Sequence, residues 1–197
     1  MESLSVGSIG RKRCIESFGS AADCLGTVAH GCSVFAVSRG QFSLVDLIYA
    51  ALDQVGPADV SIWTWRSGAY NFEHIGPLMD RISGGLIIVD AAEAKREGCD
   101  FLRQFQKKFG KESIRATRNH AKIATVTTED IRLLIRGSAN LHAKPRFEQF
   151  DITEGCPAYY ATKSAEIVLP VLAEIADDRK AAARQQNTLN GIKAWRR

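Results

Sequence analysis

An alternation constrains this chain most: strand-sized apolar runs are separated by segments whose apolar residues recur at helical spacing. Cys32 to Val37 reads as a strand. It is followed by Phe42 to Gln54, where Leu44, Leu47, Ile48, Ala51 and Leu52 line one side of a helix before the Gly56-Pro57 stop. Val60 to Trp65 is a second strand, Phe72 to Ile82 a helix interrupted near Gly76-Pro77, and Leu86 to Val89 a third strand, apolar on both faces. This βαβαβ pattern predicts an α/β fold with a mixed, mainly parallel sheet flanked by helices, because parallel neighbours need crossover connections.

Downstream, Ala91 to Phe109 is predicted as a helix with Phe101, Leu102, Phe105 and Phe109 on one face and Arg103, Lys107 and Lys108 on the other. Two alternating segments, Ala121 to Val126 and Ile131 to Arg136, are joined by a turn-like Thr127-Thr128-Glu129-Asp130 and predict a hairpin. Tyr160, Ser164, Ile167, Val168, Val171, Leu172 and Ile175 trace one face of a long helix expected to kink at Pro170. The organisation expected is a weakly structured arm or short helix over 1–30, one domain over 31–178, and a basic tail over 179–197.

Charge narrows the partners. The formal net charge is +4, but nine basic residues face three acidic ones between Lys95 and Lys122, and six face none between Arg179 and Arg197. Such patches suit a polyanion, although solvated helix faces give the same pattern. Five cysteines, at 14, 24, 32, 99 and 156, are odd in number and irregularly spaced, as expected of thiols in the cytoplasm. Cys14, Cys24, His30 and Cys32 lack the close pairing of a zinc knuckle. No run approaches a membrane span, and Arg11-Lys12-Arg13 is not followed by a secretory apolar region, so a soluble cytoplasmic protein is expected. Phe105-x4-Gly110-Lys111-Glu112 fails as a phosphate loop, which argues against ATP.

The chemistry concentrates around the hairpin. His120 and Lys122, two apart at the start of its first strand, leave the sheet on the same face. The second strand ends in Arg136-Gly137-Ser138-Ala139-Asn140, so Ser138 and Asn140 come back alongside, Gly137 allows close backbone approach, and Glu148 can return a carboxylate to the imidazole. Arg66, Arg118, Lys107 and Lys108 are candidates for flanking phosphates. Trp63, Trp65 and Tyr70, on and after the second strand, suit either packing or base stacking, and His142 either the pocket rim or a surface loop.

His-x-Lys followed by Gly-Ser-x-Asn resembles the phospholipase D superfamily, whose motif reads His-x-Lys-x4-Asp-x6-Gly-Ser-x-Asn. Gly137-Ser138-Ala139-Asn140-Leu141 with the later Glu148-Gln149-Phe150-Asp151 is particularly like its small single-motif members, many of which look like bacterial or phage nucleases. The motif aspartate falls on Thr127, and the following gap is three residues longer than usual, which leaves Glu129 or Asp130 as substitutes. The resemblance implies a metal-independent phosphodiesterase without cofactors that acts through a phosphohistidine on His120, and together with the basic patches it points to a non-specific nuclease, with DNA ranked before RNA as its substrate and the choice between them left open. Lys122, Ser138, Asn140 and Glu148 complete the implied site. Its mechanism takes a second histidine as general acid, and His30, His74 and His142 lack the lysine two positions on, so a C2 homodimer sharing one site is expected. The alternatives are a degenerate nucleic-acid binder and a phospholipid phosphodiesterase.

Overall fold

The computed structural model describes residues 12–16, 19–66, 72–95, 100–141 and 145–171. They form an α/β arrangement around one eight-stranded sheet. In chain order the elements are β1 (Lys12–Glu16), α1 (Ala21–Leu25), β2 (Ser33–Ser38), α2 (Leu44–Val55), β3 (Ala58–Thr64) and α3 (Phe72–Met79). They continue through β4 (Ile82–Asp90), α4 (Ala91–Ala94), α5 (Asp100–Phe109), β5 (Ile114–Thr117), β6 (Ile123–Thr127), β7 (Arg132–Gly137), β8 (Glu148–Glu154) and α6 (Pro157–Val168). Among these residues no helix is long and apolar enough to cross a membrane.

The strand order is β1-β2-β8-β7-β6-β3-β4-β5. The expectation of a mixed sheet is met, but "mainly parallel" is corrected: β1–β2, β3–β4 and β4–β5 are parallel, whereas β2–β8, β8–β7, β7–β6 and β6–β3 are antiparallel. The cause is β8. It inserts beside β2 and, with the β6–β7 hairpin, separates the parallel strands β2 and β3 that α2 connects.

Strand parity sorts the side chains. Val34 and Ala36, Val60 and Ile62, Ala124 and Val126, Leu133 and Ile135, and Phe150 and Ile152 all point to one face, where α1, α2, α3 and α5 complete the core. Capping boxes start two of these helices: Ser20 with Asp23 opens α1, and Ser43 with Asp46 opens α2. On the other face, α6 lies across β3 and β6, where the Tyr159 hydroxyl meets the Thr127 hydroxyl at 2.7 Å.

Several expected boundaries shift. Part of the segment read as an arm supplies β1 and α1, with Cys24 and Leu25 in the core. The 91–109 helix is two pieces in the described residues, α4 and α5. The helix beginning at Phe72 runs through Gly76-Pro77 and stops at Met79, because Ile82 already belongs to β4. α6 stops at Val168, before Pro170: Leu169 is extended, the preference of a residue before proline, and Val171 bridges to Arg115 on β5, while Leu172 and Ile175 of the expected helix lie outside the described residues. The buried side of α6 is also not the predicted one. Tyr159 and Glu166 are buried, while Tyr160, Ile167 and Val168 face outward. The tail over 179–197, Tyr70 and His142 lie outside the described residues.

Candidate active site

Strand parity does not stop where the apolar core stops. On the face that carries the core, the sheet's edge ends in a row of polar side chains: Ser38 at the end of β2, Glu148 at the start of β8, Lys122 just before β6 and Thr64 at the end of β3, all buried. Buried polar groups need partners. Those of this row are supplied by the loops above them: Gly40 for Ser38, Ser138 for Glu148, His120 for Lys122 and the Arg66 carbonyl for Thr64.

His120 and Lys122 stand in the extended approach to β6 rather than in the strand itself. Their side chains meet as their spacing predicts: Lys122 Nζ lies 3.0 Å from His120 Nδ1 and 3.4 Å from Nε2, and donates to the His120 carbonyl at 2.5 Å. The imidazole is exposed and the ammonium buried. Burial pushes the Lys122 pKa below its ordinary value, because the charged form loses its water, while the Glu148 carboxylate nearby acts the other way.

Asn119 sets this geometry. Its amide donates to the carbonyls of Thr64 at 3.1 Å and Ile88 at 3.0 Å, tying the approach to the ends of β3 and β4. Its oxygen accepts from Ala121 N–H at 2.8 Å, a turn that lifts His120, and its own N–H donates to Asp90 at 3.1 Å. Sequence reasoning missed this residue. The Asn-x-Ala turn was its local signal, but the carbonyls it holds lie 55 and 31 residues away in the chain.

From the other strand of the hairpin, Gly137 N–H donates to the Lys122 carbonyl at 3.0 Å, placing Ser138 next to the approach. A side chain at 137 would strike Phe150, with a β-carbon only 2.7 Å from Cδ1 of the ring, so this glycine is required for packing. Ser138 Oγ donates to Glu148 and accepts from Gln149 N–H at 3.1 Å. The Ser138 and Glu148 side chains are thus brought together, with Lys122 within the field of the carboxylate. Among the described residues the hydrogen bonds of Glu148 run to Ser138 and not to the imidazole, which corrects the expected carboxylate–histidine pair. Asn140 follows on the same loop, half-buried, and its side-chain oxygen has no partner among the described residues. That unspent hydrogen-bonding capacity is what a ligand group or a water would take up.

The flanking candidates divide. Arg66 stays at the site: its guanidinium lies 4.4 Å from the Trp65 ring centre, and that ring lies 5.0 Å from the imidazole. Trp65 is therefore a rim residue beside His120, whereas Trp63 packs beneath α6 and donates to Glu166 at 3.1 Å. Arg118 is exposed one residue before Asn119. Lys107 and Lys108 are not brought to the site. They close α5 over the opposite end of β4, where Phe109 packs against Gly85 and Lys108 pairs with Asp80 at 2.6 Å. Thr127 ends β6 at the far edge, with Glu129 and Asp130 exposed in the turn beyond it, so neither acid reaches His120 in place of the motif aspartate. Cys24 and Cys32 are buried as thiols, and the described residues hold no group of three or more metal-ligating side chains.

No protein-family model matches the sequence, and no curated protein matches it significantly.

Proposed function

We propose that this protein is a phosphodiesterase of the phospholipase D type, a nuclease whose nucleophile is His120. The observation that carries the reading is the meeting at one sheet edge of an exposed imidazole, a buried ammonium 3.0 Å from it, and the Ser138–Glu148 pair. In this reading an imidazole nitrogen attacks phosphorus, the P–N bond forms, and the P–O bond to the leaving alkoxide breaks. Lys122 is held beside both ring nitrogens, where it meets the charge gathering on the phosphoryl oxygens, a role that metal ions fill in other phosphoryl-transfer enzymes. Glu148 and Ser138 hold the ammonium's surroundings in place. The alkoxide takes its proton from a second histidine, which then activates water to release His120. That histidine is His120 of a second copy, so the working form is a homodimer. The basic rim residues Arg66 and Arg118 favour a polyanionic diester, DNA first.

A second reading, a binder that keeps the pocket without turnover, draws on Thr127, whose hydroxyl docks Tyr159 where the motif has a carboxylate. One experiment separates the two. Single- and double-stranded DNA are incubated in EDTA with the purified protein and with His120→Ala, and the mass in solution is measured by light scattering. EDTA-resistant cleavage by a dimer, lost in His120→Ala, is the expected result. Salt-sensitive binding without cleavage of either DNA overturns the enzyme reading in favour of the binder.

A further inference from the structure

Two arginine–aromatic pairs flank the site along the sheet edge. On one side, Ser38 and Glu148 are register partners at the ends of β2 and β8, and the residues beyond them meet: the Arg39 guanidinium lies 5.4 Å from the centre of the Phe147 ring. Phe147 is 65% exposed, so its ring lies at the surface beside the arginine. On the other side, Trp65 follows β3, with Arg66 at 4.4 Å from its ring centre and His120 at 5.0 Å. Between β8 and β3 stand only β7 and β6, which deliver Ser138 and His120. At about 4.8 Å per strand interval, the two aromatic positions are roughly 14 Å apart with the imidazole and ammonium between them.

We propose that these pairs are two stacking platforms for the bases on either side of the cleaved phosphate, and that the substrate is therefore single-stranded nucleic acid. The proposal rests on the phosphodiesterase reading and specifies its substrate. An aromatic face takes any base, whatever its identity, and an arginine beside it offers both a stacking plane and a phosphate contact. In a duplex both faces of each base are covered by neighbours, so only an unpaired strand can lay successive bases on the two platforms. The arrangement also explains why the aromatic residues stand at the rim, next to basic side chains, while the core holds Phe42, Phe105 and Phe150.

The test compares the full-length protein with Trp65→Leu, Trp65→Phe and Phe147→Ser on labelled oligonucleotides of one sequence, single-stranded and duplex. Preferential cleavage of the single strand is expected. Trp65→Leu and Phe147→Ser each lose roughly tenfold to hundredfold in kcat/KM, mainly through KM, and Trp65→Phe loses less. Each loss vanishes when an abasic nucleotide stands on one side of the cleaved phosphate, and the two variants respond to opposite sides. The exposed Phe147 can be truncated without disturbing the core, so Phe147→Ser reports even where a Trp65 variant folds poorly. Equal losses on intact and abasic strands, or equal cleavage of duplex, overturn the platforms and leave Trp65 as a residue that positions His120. Should the wild-type protein cleave nothing, the phosphodiesterase reading falls separately. Anisotropy with the same strands then decides: base-dependent binding weakened by either substitution upholds the platforms, and binding indifferent to both overturns them.

Discussion

Lys122 is held between opposing influences, since burial favours the neutral amine and Glu148 favours the ammonium. Burial is the larger, so the proton leaves at a lower pH than from a free lysine. If the ammonium stabilises the reacting phosphate, activity should fall as pH rises through this depressed pKa. The alkaline limb of the rate profile therefore lies below that of an ordinary lysine, and Glu148→Gln, by removing the opposing charge, should move it lower still. A pH–rate series on both proteins checks this, and a limb that moves upward in Glu148→Gln would contradict it. Lys122→Met should cost about a hundredfold or more in kcat. Gly137 has a different kind of role. Gly137→Ala drives a methyl group to within 2.7 Å of the Phe150 ring and should destabilise by about 1–3 kcal/mol, read as a lower denaturant midpoint.

At the level of elements, the site depends on how loops are tied to strand ends. Asn119 joins the approach to β6 to the ends of β3 and β4, and Asn119→Ala leaves the partners of a buried amide unpaired. The expected loss is about 1–3 kcal/mol of stability, together with a fall in kcat larger than the change in KM, since His120 is misplaced while the rim arginines remain. Steady-state kinetics beside thermal unfolding separates the two effects. On the far face, α6 is docked by polar contacts. Glu166 accepts from Ser61 at 2.5 Å and from Trp63 at 3.1 Å, and pairs with Lys163 at 2.5 Å, while Ser61 also meets Thr125 at 2.6 Å. Glu166→Ala should loosen this helix, with faster amide exchange over 157–168 and a stability loss of about 1–3 kcal/mol. The helical spacing of Tyr160, Ile167 and Val168 suggested the opposite face, because a periodicity argument ranks apolar residues inward and has no means of seeing a carboxylate with three partners waiting for it.

For the molecule as a whole, charge is divided by position rather than by sequence cluster. DNA affinity should fall steeply with salt, and Arg66→Ala or Arg118→Ala should each reduce the slope of log affinity against log salt by about one. Lys108→Ala should not, because that lysine pairs with Asp80 at the opposite sheet edge. Fluorescence titrations over a salt series distinguish the outcomes. Lys107, Lys108, Arg118 and Lys122 are a single basic stretch in the chain, yet α5 and β5 carry its two ends to opposite edges of the sheet. What the sequence alone determined was local: the strand–helix alternation from β2 to β4, the β6–β7 hairpin, and the meeting of His120 with Lys122, all consequences of side-chain period and short connections. The short strands β1, β5 and β8 were not legible, because four to seven residues rich in charged and polar side chains carry little periodic signal until their neighbours pair with them. Only the tertiary structure decided that β8 lies between β2 and β7, turning most of the sheet antiparallel and bringing Glu148 and Phe147 to the site. Backbone groups of a strand are satisfied by whichever strand lies alongside, and that choice belongs to the packing of the whole chain.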